Sequence, residues 1–150
     1  MSDFFAFESD FVESLRCIPM QVRFKLDTCG VKLKLQHWHQ FEPSDRAEIV
    51  ALPCEADAEI QHYREFLHRL VQERTGTAAA DLPIDSEPPW LNANQIPASV
   101  QEKADEVGAK LTLTQWSNLS PLKRFALIKL SRSMHENRNF LPALAEFNLN

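Results

Sequence analysis

An all-α architecture, built as a compact helical domain from two pseudo-repeats, is what this sequence predicts, on three observations. Residues 18–52 and 96–130 carry one pattern twice, at a shift of 78 without a gap, and 13 of the 35 aligned positions are identical. That is far above the level between unrelated stretches. Glycine is scarce, 3 in 150 residues, which disfavours a β-rich chain with many tight turns. Apolar residues recur three and four apart through most of the chain, the period of a helix face. A length of 150 residues suits one ordinary domain with a sizeable core. The domain is expected to run 1–150, as an aromatic arm (1–17), the first repeat with a long amphipathic helix (18–75), a proline-rich linker (76–95), and the second repeat with a C-terminal helix (96–150).

The arm holds Phe4, Phe5, Phe7 and Phe11. Each withholds about 1.5–3 kcal/mol while exposed, so the arm is expected to be ordered and packed on the core. Each repeat then reads helix, Gly, short helix, helix. Pro19 and Pro97 suit the first helical position, where a missing N–H costs nothing. Val22, Leu26 and Cys29, and Val100, Ala104 and Val107, form one apolar face. Gly30 and Gly108 stand where a left-handed C-terminal residue is wanted. The following KLxLxxW alternates enough for a short strand, but Thr114 and Ser120-Pro121 look like successive helix starts, which favours a connector and a short helix around Trp38 and Trp116. The third helix of each copy begins at Pro43 or Pro121, and RFALIKL is apolar on nearly all sides, so it is expected to be the most buried.

Residues 56–74 give the clearest amphipathic helix, with the stripe Ile60, Tyr63, Leu67, Leu70 and Val71, an i, i+4 pair of Glu65 and Arg69, and Gly76 at its end. In the linker, Leu82, Ile84 and Trp90 are the expected anchors. A last helix spans Pro142 to Phe147. Asp27 and Asp105 sit near helix C-termini, where an acid is unfavourable. Both copies keep an arginine 19 residues on, so Asp27–Arg46 and Asp105–Arg124 are expected ties between the first and third helices. Pro19, Asp27, Gly30, Trp38 and Arg46, with Pro97, Asp105, Gly108, Trp116 and Arg124, are the structural positions of the repeat.

Composition excludes several function classes. The net charge of −5 supplies no basic field for nucleic acid or anionic membrane. No apolar run reaches the ~20 residues that span a bilayer. The start MSDFFAFESDF has acids where a secretory leader has bases, and Cys17, Cys29 and Cys54 show no CxxC spacing. A cytoplasmic protein without disulfides is expected.

Candidate chemistry is sparse. His37 and His39 share a face only in a strand, and the second copy has Gln115 and Ser117 there, so a surface pair is preferred over a metal site. Cys29 occupies a core position, whereas Cys17 and Cys54 are read as open to reagents. Trp38 and Trp116 are read as core rather than ligand-binding residues. The densest polar cluster is RSMHENRN, whose Arg132, His135, Glu136, Asn137 and Asn139 are the candidate partner-binding or polar-network residues. No phosphate-cradling loop, HExxH, GxSxG or paired CxxC occurs. No catalytic residue, cofactor or metal is assigned, and no enzyme activity is expected.

The segments FESDFVESLRCIPMQVRFKLDTCGVKLKLQHW, ALPCE and RFALIKLSRSMHENRNFLPALAEF resemble the nitrate-reductase-associated protein family, over roughly residues 4–75 and 95–147. The resemblance implies a cytoplasmic, non-catalytic accessory or maturation factor. Its implied partner is assimilatory nitrate reductase or the molybdenum-cofactor assembly machinery. The alternative is a regulator that binds a small ligand or metal in a pocket between the two repeats. A monomer and a homodimer both fit the pattern.

Overall fold

The computed structural model describes residues 5–8, 17–132 and 139–149. The chain is mostly helical, with eight α-helices and one two-stranded sheet among the described residues. It divides into two compact units, Met1–Ile84 and Asp85–Asn150, so each unit contains one copy of the duplicated pattern.

In the first unit, α1 (Met20–Cys29), α2 (Leu35–Gln40) and α3 (Pro43–Ala51) follow one another, and α4 (Asp57–Thr75) packs against α1 and α2. Pro19 lies one residue outside α1, as its extended N-cap, with φ −61° and ψ 152°. Its carbonyl accepts the N–H of Arg23. Gly30 ends α1 at φ 77°, a left-handed conformation that costs a side-chain-bearing residue about 1–2 kcal/mol. Between α1 and α2 the expected connector is partly a strand: β1 (Val31–Lys32) pairs antiparallel with β2 (Ala80–Asp81), Val31 opposite Asp81. The linker thus returns to the first repeat, and Arg64 of α4 fastens the corner. Its guanidinium donates to the carbonyls of Cys29 (3.1 Å) and Gly30 (2.9 Å) and to Asp81 Oδ1 (2.6 Å).

The core of this unit joins Val22 and Leu26 of α1, Trp38, Ile49, and Tyr63, Leu67 and Val71 of α4. Trp38 and Phe41 meet edge to face at 6.3 Å. Lys25 runs its ammonium to the carbonyls of Val50 (2.8 Å) and Leu52 (2.7 Å), so it satisfies the open end of α3. Glu65 and Arg69 make no ion pair with each other. Glu65 accepts from Gln61, and Arg69 lies over the Phe66 ring. In the arm, Phe5 and Phe7 stack at 5.3 Å. Glu8 is buried and accepts the N–H of Met20 (3.2 Å), while Phe4 and Phe11 lie outside the described residues.

In the second unit, a 3-10 turn (Pro89–Leu91) precedes α5 (Ala98–Glu106), α6 (Leu113–Ser117), α7 (Pro121–Arg132) and α8 (Phe140–Glu146). Helix α7 is central and packs on the turn, α5 and α8. Phe125, Ala126, Leu127, Ile128 and Leu130 are buried on it, as its unbroken apolar run requires. Trp90 packs edge to face on Phe125 at 5.0 Å. Ile84, which ends the first unit and lies beside Gly30, is by contrast 60% exposed. Helix α6 starts two residues earlier than Thr114 indicated: Thr112 is the N-cap, and it exchanges two hydrogen bonds with Gln115 (2.9 and 3.2 Å). Helix α8 begins at Phe140, two residues before the proline expected to open it.

Candidate functional site

Of the polar cluster after α7, His135, Glu136 and Asn137 lie outside the described residues. Arg132 closes α7 and is exposed, and Asn139 precedes α8 as a half-buried N-cap that makes no side-chain capping bond. Beside Arg132, Ser131 ties α7 to α5 through Ser99 Oγ (3.2 Å).

The two histidines part company because they stand two apart on a helix. His37 is buried and its Nδ1 accepts the Lys34 N–H at 3.2 Å, closing the first turn of α2. Desolvation, and then the Lys34 charge, hold its imidazole below the usual histidine range, so it is neutral at pH 7. His39 is exposed.

Cys54 is buried, not open to reagents, and stands with Cys29 in the first core. Cys29 Sγ donates to the Leu26 carbonyl and Cys54 Sγ to the Lys25 carbonyl, both at 3.8 Å. The hydrogen bond to Cys54, then burial, pushes the Cys29 thiol up. The bond from Cys29, with the Lys25 charge, holds Cys54 down against burial. Among the described residues, no three His, Cys, Asp or Glu converge as metal ligands do.

Neither expected aspartate–arginine tie forms among the described residues. Arg46, the fourth residue of α3, donates through Nε to the Trp38 carbonyl (3.0 Å) and through Nη2 to the His39 carbonyl (3.1 Å). The end of α2 offers acceptors to the guanidinium, and the Trp38 carbonyl takes Arg46 while also accepting the Phe41 N–H at 3.2 Å. In the second unit, Asp105 instead accepts from Gln101 (3.4 Å).

Arg124 is the fourth residue of α7, the same place in its helix. It is only 6% exposed. Its Nε and Nη1 are sealed from water and have no hydrogen-bond partner among the described residues. Desolvation lowers its pKa, yet a guanidinium keeps its proton at neutral pH. Helix α7 carries Lys123, Arg124, Lys129 and Arg132 and no acid. Lys123 lies over the Phe147 ring at 5.4 Å and Lys129 over Phe125 at 5.2 Å. Among the described residues Arg124 is thus a buried charge without a hydrogen-bonded counter-charge, on an all-basic helix of an acidic chain. The duplicated arginine was legible in the sequence as a scaffold position, but nothing in the pattern signalled that one copy is partnered and the other is not.

The family described as conserved nitrate reductase-associated protein matches residues 4–147 of the chain. Neither a curated protein nor a solved structure matches it.

Proposed function

We propose a function from the premise that this chain belongs to the conserved nitrate reductase-associated protein family: it is a non-catalytic accessory or maturation factor of assimilatory nitrate reductase, acting in the cytoplasm by protein–protein binding. Family membership is the observation that carries this reading. The surface supports it. Leu35 and Leu113 are the first residues of α2 and α6, occupy matched and identical positions in the two copies, and stay 46% and 49% exposed. No bond of their helices requires leucine there, and covering each would contribute about 1.5–3 kcal/mol. An association with a partner surface gives these side chains a use that the isolated chain does not.

The test is direct. Tagged protein is mixed with purified nitrate reductase, in apo and cofactor-loaded forms, and complex formation is followed by size-exclusion chromatography with light scattering. A complex with either form, weakened by Leu35→Ser and Leu113→Ser together, is the expected result. The absence of any complex at tens of micromolar would rule out direct binding to the enzyme. A second reading, a regulator that binds a small ligand, is favoured by one observation, the unpartnered guanidinium of Arg124.

A further inference from the structure

We propose that Arg124 is the receptor for a small inorganic oxyanion, bound within the second unit at the first turns of α7. The proposal deepens the small-ligand reading and is independent of any association with nitrate reductase.

The two copies supply the comparison. Arg46 and Arg124 are both the fourth residue of a helix that opens with proline. Arg46 uses two of its nitrogens on the carbonyls that end the preceding short helix. Arg124 makes neither bond, although the carbonyls match: Trp116 accepts the Leu119 N–H just as Trp38 accepts the Phe41 N–H, and among the described residues Nε and Nη1 of Arg124 remain unpaired. Desolvating a charge is costly unless an opposite charge or strong acceptors meet it. A sequence under no need for the guanidinium is better served by methionine or leucine at this position of a central helix. The retained arginine therefore calls for an anion.

Size and shape narrow the class. With 6% of the residue exposed, a bulky anion reaches Nε and Nη1 only if the unit opens, whereas an ion of four or five atoms needs the least displacement. A planar guanidinium presents divergent N–H donors that match the oxygens of nitrate, sulfate or phosphate. The site lies near the positive end of α7, whose dipole also favours an anion. Lys123 and Lys129 of the same helix add positive field without competing hydrogen bonds from acids on α7.

The experiment is thermal unfolding of the full chain at constant ionic strength, with chloride replaced stepwise by nitrate, sulfate or phosphate. Wild-type protein is expected to gain roughly 5 °C at an oxyanion concentration far above its dissociation constant, since a ligand bound only by the folded state raises Tm. Arg124→Met is expected to melt higher than wild type in chloride, because a buried unpaired charge is gone, and to lose the oxyanion response. Arg46→Met is expected to melt lower and keep the response. Sulfate and phosphate also strengthen folding generally, so an equal rise in Arg124→Met overturns the proposal. So does an Arg124→Met protein less stable than wild type in chloride, which would show the guanidinium already paired. Should Arg124→Met fail to fold, arginine-labelled protein gives the answer by NMR. One side-chain Nε–H resonance, absent from Arg124→Lys, should move on addition of oxyanion, and its failure to move refutes the site.

Discussion

Replacing Asp45 tests how α3 is held, and two variants separate its two bonds. Asp45 is buried, and its Oδ2 accepts the Glu42 N–H at 2.9 Å, satisfying a donor at the start of α3. The same carboxylate receives Arg74 Nε (2.9 Å) and Nη2 (3.3 Å) from the last turn of α4. Alanine removes both bonds; asparagine keeps an acceptor for Glu42 and discards the charge. Loss of the helix-start bond costs about 1 kcal/mol, within a range of 0.5–2. The Arg74 bond adds less than its short distance implies, because that side chain is 37% exposed and water screens the pair. For a chain of this size, Asp45→Ala should lower Tm by roughly 2–8 °C, and Asp45→Asn by less. Circular dichroism melts between pH 7 and pH 3 supply the assay. Burial pushes the Asp45 carboxyl up, but the Arg74 and Glu42 hydrogen bonds and the charges of Arg74 and Arg46 outweigh it and hold it below the usual carboxylate range. A folded-state value below the unfolded one contributes stability that is complete above about pH 4 and disappears as pH falls through the folded value. The gap between wild type and Asp45→Asn should therefore be constant from pH 7 to pH 5 and close in more acidic solution. A gap that is zero at pH 7, or undiminished at pH 3, refutes the contribution assigned to the charge.

Three further outcomes follow from the first unit. Tyr63→Phe should destabilise by about 1 kcal/mol in urea unfolding, because the buried hydroxyl donates to the Ile49 carbonyl at 2.9 Å. Burial also pushes the Tyr63 phenol up, so its contribution is complete below the unfolded value near pH 10 and is lost as pH rises beyond it; the variant should lose less stability than wild type in strong alkali. Gly30→Ala should cost more than Gly108→Ala in thermal melts, although both glycines have φ 77°: a methyl group at Gly30 falls 2.7 Å from Ile84 Cγ1, while the space at Gly108 is open. With a chromogenic disulfide reagent, one thiol, half-buried Cys17, should react quickly in the native protein and two slowly, Cys29 and Cys54 being 1% and 5% exposed; rapid reaction at three thiols contradicts the buried pair.

The helices were legible because each is marked locally. The stripe from Ile60 to Val71 and the stop at Gly76 place α4 within a residue of its observed ends. The buried state of α7 was legible for the same reason, since an all-round apolar segment has no face to offer water. What the sequence concealed depends on contacts between distant residues. Alternation in Val31–Leu35 cannot announce that Ala80–Asp81 returns to pair with it. An acid and an arginine 19 residues apart are compatible with a tie, yet Arg46 gives its guanidinium to the Trp38 and His39 carbonyls at the end of α2. Cys54 stands outside the core face of the repeat and so reads as open to reagents, whereas it is buried and meets the Lys25 carbonyl of α1.

The duplicated pattern invites one rule, that shared residues hold the scaffold and unshared residues carry function. The arginines break it. Identity at a repeat position fixes where the backbone places a side chain, because helix start, register and rotamer direction are local. It does not fix what meets the far end of a long side chain, which depends on atoms contributed from elsewhere. Arg46 finds two carbonyls and is accounted for by structure. Arg124 has the same place in its helix and no partner for two buried nitrogens. A duplicated scaffold residue is thus a site that a second copy can release for binding without any change of sequence at that position. In this chain, function is to be sought where matched residues differ in their partners as well as where the copies differ in their letters.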